Sequence, residues 1–109
     1  MPVLSMMRME GDPDELAAKI AEHVAPVAER LAPGHGGLLN IVAKTDRGIL
    51  AVNLWESEEG RQAMAQEPEI QQAVQAAGLP QPAFDGYEVV AIRGGERIGE
   101  FVSSDRPLR

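Results

Sequence analysis

The stretch Leu38 to Glu59, LLNIVAKTDRGILAVNLWESEE, decides the fold of this chain. Two apolar runs flank Thr45-Asp46-Arg47-Gly48, where Asp and Arg suit the right-handed region and Gly suits the positive-φ position that closes a tight turn. The stretch therefore reads as a β-hairpin. Its second strand ends on the lone tryptophan, Trp55, and Ser57 follows as a natural N-cap, with Glu58 and Glu59 at the positive end of a helix dipole. The hairpin thus runs straight into a helix. Its register depends on the loop. A four-residue loop, Thr45 to Gly48, pairs Lys44 with Ile49 and sets Asn40 opposite Asn53; a three-residue loop with a Gly bulge sets Asn40 opposite Leu54.

Upstream, Val3 to Met9 is a short apolar run with Ser5 and Arg8 set into it, and reads as a first strand. Asp12-Pro13-Asp14-Glu15 then supplies a cap, a first-turn proline and a glutamate three residues after the cap. Leu16, Ile20, Val24, Val27 and Leu31 form one apolar stripe along the helix that follows. Pro26 removes the bond to the carbonyl of Glu22, so a bend or break is expected there, and Pro33-Gly34 stops the helix.

Downstream, a short helix from Glu58 to Gln66 is followed at Glu67-Pro68 by a second piece running through Ile70, Val74 and Ala77 to Gly78. Leu79-Pro80-Gln81-Pro82 is an extended connector to the last core strand, made of Phe84 and Tyr87 to Arg93. Gly94-Gly95 turns the chain again and allows a short fifth strand at 98–102, before a polar tail from Ser103 to Arg109. Residues 1–93 are thus read as one domain and 94–109 as a C-terminal extension.

The element order is βαββαβ, an α+β ferredoxin-like arrangement in which helices cover one face of a four-stranded antiparallel sheet. In the third strand Leu50, Val52 and Leu54 point one way while Ile49, Ala51 and Trp55 point the other, with only Asn53 polar. Both faces call for burial, and the helices can cover only one. A second copy laid sheet to sheet is the simplest cover, so a homodimer is expected.

Composition narrows the function classes. The 109 residues suffice for a single core, and the absence of cysteine removes disulfides and thiolate chemistry and fits a reducing cytoplasm. A net charge of -7 sets aside non-specific binding to nucleic acid or an anionic membrane. No run approaches a membrane span, so the expected location is cytoplasmic.

A βαββαβ chain with two apolar sheet faces and Trp55-Glu56-Ser57-Glu58-Glu59 after its third strand resembles the dimeric α/β barrel proteins of the antibiotic biosynthesis monooxygenase type. The resemblance covers about residues 1–93. It implies a small-molecule pocket between sheet and helices, lined by Trp55, and either a cofactor-independent monooxygenase acting on a small hydroxylated aromatic or a non-enzymatic, small-molecule-binding or purely structural barrel. Haem-degrading relatives use a trio of tryptophan, first-strand asparagine and later-helix histidine. Neither partner residue is present here, which disfavours haem degradation. An asparagine on the tryptophan strand of the cofactor-free oxygenases is met by Asn53.

Each candidate side chain suits two roles. Trp55 can stack on an aromatic ligand or pin the strand to the helix as core. Asn53 and Asn40 can bind a ligand or satisfy neighbouring groups, and in the first hairpin register they form an amide pair beside Trp55. His23, near the apolar stripe of the first helix, is the best general-base candidate by its intrinsic pKa, while the ordinary reading of a histidine there is a solvated boundary position. Arg8 and Tyr87 can hold an anionic or phenolic substrate, and each also has an ordinary surface or core reading. His35, in Pro33-Gly34-His35-Gly36-Gly37, reads as a connection. Two histidines without a shared short motif make no metal site, and no cofactor is expected.

Overall fold

The computed structural model describes residues 1–102. Strands β1 (Val3–Glu10), β2 (Gly37–Lys44), β3 (Gly48–Trp55) and β4 (Ala83–Glu88) form one antiparallel sheet in the order β2-β3-β1-β4. Helices α1 (Pro13–Lys19), α2 (Ala25–Leu31), α3 (Glu58–Ala65) and α4 (Pro68–Ala77) lie on one face, giving the ferredoxin-like α+β fold. The hairpin takes the four-residue loop, with Lys44 facing Ile49 and Asn40 facing Asn53. Thr45 fixes that loop from within: its Oγ1 accepts from the backbone N–H of Arg47 at 3.2 Å and of Gly48 at 3.0 Å.

Asp12 caps α1 by accepting from the backbone N–H of Glu15 at 2.9 Å. Between α1 and α2 the chain forms a π-helical turn, Ile20–Val24, with the backbone N–H of Ala25 bonded to the carbonyl of Ile20. That turn is the form taken by the bend expected at Pro26, whose missing N–H the wider ladder accommodates. Glu67 starts α4 in extended conformation, and Gly78 ends it in the left-handed region at φ 65°.

Two expected features differ. The last strand runs over Ala83–Glu88 and stops short of Arg93, leaving Val90 94 % exposed. Val89 still donates its N–H to Pro2 O at 3.0 Å, but Pro2 has no N–H to return, so the ladder with β1 ends there. The segment allowed as a fifth strand contains a 3-10 turn at Ile98–Glu100, because i to i+3 bonds from Ile98 to Gly95 and from Phe101 to Ile98 use its backbone groups locally. The expected polar tail, 103–109, lies outside the described residues.

Strand alternation sorts the side chains. Odd-numbered β1 and β3 residues face the helices, where Met9, Ile49 and Leu16 form the buried core, with Met7, Ala17, Ile20 and Leu79 packed around it. Even-numbered residues face away, so Leu4, Met6, Leu50, Val52 and Leu54 share the open face with Leu39, Ile41 and Tyr87. Among the described residues no helix covers that side. Ile41 is 51 % exposed at its edge.

Candidate functional site

On the helix-covered face, residues that face one another across the strands fall into rows. One row is polar at three of its four members: Asn40 on the edge strand β2, Asn53 on β3 and Ser5 on β1, continued by Gly86 on β4. It lies between Trp55 and Val3 on one side and Ala51 and Met7 on the other. Asn40 Nδ2 donates to Asn53 Oδ1 at 2.6 Å, and the indole Nε1–H of Trp55 donates to Ser5 Oγ at 3.3 Å. Trp55 and Ser5 are each only 8 % exposed, whereas Asn53 is half-buried and Asn40 exposed. The row therefore passes from the buried centre of the sheet to an accessible edge at β2.

Backbone contacts close the tryptophan end. Gly37 faces Trp55 and packs against Ala32, whose Cβ a side chain at 37 would meet at 2.8 Å. Gly60, in the first turn of α3, passes so close to the carbonyl oxygen of His35 that any Cβ would overlap it. The ring of His35 is 3.0 Å through Nε2 from Glu67 Oε1, which ties the loop before β2 to the α3–α4 junction. Glu67 gives its carboxylate to this contact and does not cap α4.

The polar row contains no titratable side chain, and two charged pairs lie outside it. Hydrogen bonding from the Arg61 guanidinium holds the Glu58 carboxyl below the usual carboxylate range, and hydrogen bonding to Asp14 raises the Lys44 ammonium. The site can accept and donate hydrogen bonds through its two asparagines, beside an indole that is itself buried. It has no base of its own.

The remaining sequence candidates lie elsewhere. His23 lines an open groove of about 320 Å³ between the first helical stretch and α4, with Val27, Glu69, Gln72, Ala73 and Ala76, and neither Asn53 nor Trp55 is among its walls. Arg8 and Tyr87 sit on the open face, where Arg8 pairs with Asp85 at 3.3 Å. The structure therefore brings together Trp55, Asn53 and Asn40 and separates them from His23, Arg8 and Tyr87. Ser5 is the member that sequence reading missed. Its hydroxyl stood out in an apolar strand, but its partner follows from the pairing of Val3 with Trp55, which the sequence does not number.

Substituting Ser5 by alanine leaves the buried indole N–H without an acceptor. The expected cost is about 1–2 kcal/mol, read as an earlier urea midpoint with an unchanged slope. An unchanged midpoint would show that the indole finds another acceptor.

Among the described residues no group of three or more His, Cys, Asp or Glu is placed to hold a metal ion, and no helix is long and apolar enough to cross a membrane. Strand β1 holds no asparagine and α3 and α4 no histidine, so the haem-degrading trio is not assembled.

Neither a protein-family model nor a curated protein sequence matches the chain. Solved structures do. A candidate antibiotic biosynthesis monooxygenase from Chloroflexus aurantiacus J-10-fl superposes with a TM-score of 0.66 at 20 % identity, over 86 % of this chain and 98 % of that one. SnoaB, a cofactor-independent oxygenase from Streptomyces nogalater, in a single-residue mutant form, gives a TM-score of 0.62 at 14 % identity, over 84 % and 93 %. The heme-degrading protein Rv3592 from Mycobacterium tuberculosis gives 0.61 at 26 % identity, over 87 % and 98 %.

Proposed function

We propose, for a chain with the ferredoxin-like fold of the antibiotic biosynthesis monooxygenase-type proteins, that it binds a small hydroxylated aromatic beside Trp55 and oxidises it with molecular oxygen without a cofactor. The observation that carries this reading is the Asn40–Asn53 amide pair next to a buried indole on the helix-covered face. The substrate supplies the electrons. A ring CH2 flanked by hydroxylated rings loses a proton, and the carbanion reduces O2; one oxygen atom becomes the product carbonyl and the other leaves as water with the two hydrogens. An amide N–H next to the ring stabilises the oxyanion that develops on deprotonation. The row holds no base, so the proton passes to water at the open β2 edge.

The active form in this reading is a cytoplasmic homodimer whose subunits meet through the open faces, burying Leu50, Val52, Leu54 and Ile41 against the second copy. The uncharged row equally favours a barrel that binds an aromatic and does no chemistry.

Oxygen uptake with 1,8-dihydroxyanthrone separates the two. Catalysis predicts one O2 consumed per anthrone at a rate well above autoxidation, and loss of that excess in Asn53→Leu. Binding without excess uptake would leave a non-enzymatic barrel.

A further inference from the structure

The amide pair dictates the shape of the ligand's polar edge, an inference that rests on the aromatic-binding reading above. Each asparagine amide carries one acceptor oxygen and two N–H donors. The bond from Asn40 Nδ2 to Asn53 Oδ1 uses one donor of the first and one lone pair of the second. The Asn40 oxygen and the Asn53 NH2 group remain for a ligand. Turning both amides over reverses the bond and still leaves one oxygen and one NH2 group, so the result does not depend on which way the pair is read.

The neighbouring groups sharpen the requirement. Trp55 has its only donor committed to Ser5, so the indole offers a ligand a ring and no further N–H. Val42 and Ala51 follow the amide pair on the same face, and both are apolar. No charged side chain belongs to the row, so an anionic ligand finds no counter-ion in it. An uncharged ring with a donor alone leaves the free NH2 group of the pair unmatched, and one with an acceptor alone leaves the free oxygen unmatched.

We propose that the site selects planar, uncharged fused-ring aromatics that carry a hydrogen-bond donor and an acceptor close together on one edge, as in a cyclic lactam or its hydroxy-imine tautomer. Asn40 and Asn53 read that edge together, and Trp55 holds the ring.

Three probes of similar size test this by isothermal titration calorimetry on the full chain: indole, with a donor only; quinoline, with an acceptor only; and 2-quinolone, with both on adjacent atoms. The expected result is that 2-quinolone binds roughly tenfold more tightly than either of the others. In Asn53→Leu that preference should disappear while weak binding of all three rings remains. Equal affinities for the three probes in the unmodified protein would overturn the selectivity and leave aromatic binding intact. Binding of none would overturn both. Because the decisive comparison uses the unmodified protein, it stands even if the leucine variant fails to fold.

Discussion

Replacing Gly48 by valine lowers the melting temperature by about 15 °C. Gly48 opens β3 directly opposite Glu10 at the end of β1, and a Cβ built on it falls deep inside the van der Waals radius of the Met9 carbonyl oxygen. Relief requires β1 and β3 to separate where the buried Met9 and Ile49 pack on Leu16. The backbone cannot yield locally, because Gly11 N–H is bonded to Arg47 O at 2.8 Å and Thr45 N–H to Gly48 O at 2.8 Å. A loss on the order of 3 kcal/mol follows, since the ladder end and the core beneath it move together. Gly34→Ala is the matched control, because a Cβ at Gly34 meets nothing within 4 Å. If calorimetry shows Gly48→Val melting with that control, the close approach of β1 to β3 is wrong.

Val52→Asp is expected to separate the proposed sheet-to-sheet dimer into monomers. Val52 lies on the central strand β3, facing away from the helices between Ile41 of β2 and Met6 of β1. In an isolated subunit this side is open to water, so the subunit tolerates the charge. In a sheet-to-sheet dimer, two-fold symmetry buries two unpaired carboxylates in an apolar seam. The dissociation constant should then rise by a factor on the order of a thousand, making the variant a monomer at micromolar concentration by light scattering. A variant that stays dimeric with unchanged affinity would place the interface elsewhere. A variant that unfolds would show that the open face belongs to the subunit's own core.

The fold was legible because its signals are local. Asp12-Pro13 and Ser57-Glu58-Glu59 start helices with caps that need no tertiary information, and both caps are present, with Ser57 Oγ accepting from Gly60 N–H at 3.1 Å. Alternation along β3 announced two apolar faces, and Asn53 stood out because a polar residue interrupts that alternation. What remained hidden depends on distant partners. The end of β4 is set by Pro2, more than 80 residues away in sequence, which cannot donate the next ladder bond. The 3-10 turn at Ile98–Glu100 won over a strand because Ile98 N–H bonds to Gly95 O and Phe101 N–H to Ile98 O, using locally the groups a ladder would need.

The candidate site divides along the same line. Asn40, Asn53 and Trp55 could be grouped from the sequence once a hairpin register was assumed, because a hairpin is a local structure. Ser5 could not, because its place beside Trp55 is fixed by a long-range pairing. His23 was favoured for its intrinsic chemistry, yet its helix position directs it to α4 and away from the sheet. Arg8 and Tyr87 were judged by residue type, and strand parity puts both on the face opposite Trp55.

The central claim, that an aromatic ligand binds on the helix-covered face at the amide pair, is tested most directly by mapping a bound ligand onto named N–H groups. Titration of nitrogen-15-labelled protein with 2-naphthol should shift the side-chain NH2 signals of Asn40 and Asn53 and the indole N–H of Trp55 together, saturating at one concentration. Shifts confined to Tyr87 and Leu4 on the open face, or to His23 and Ala76 in the groove beside α4, would contradict the account.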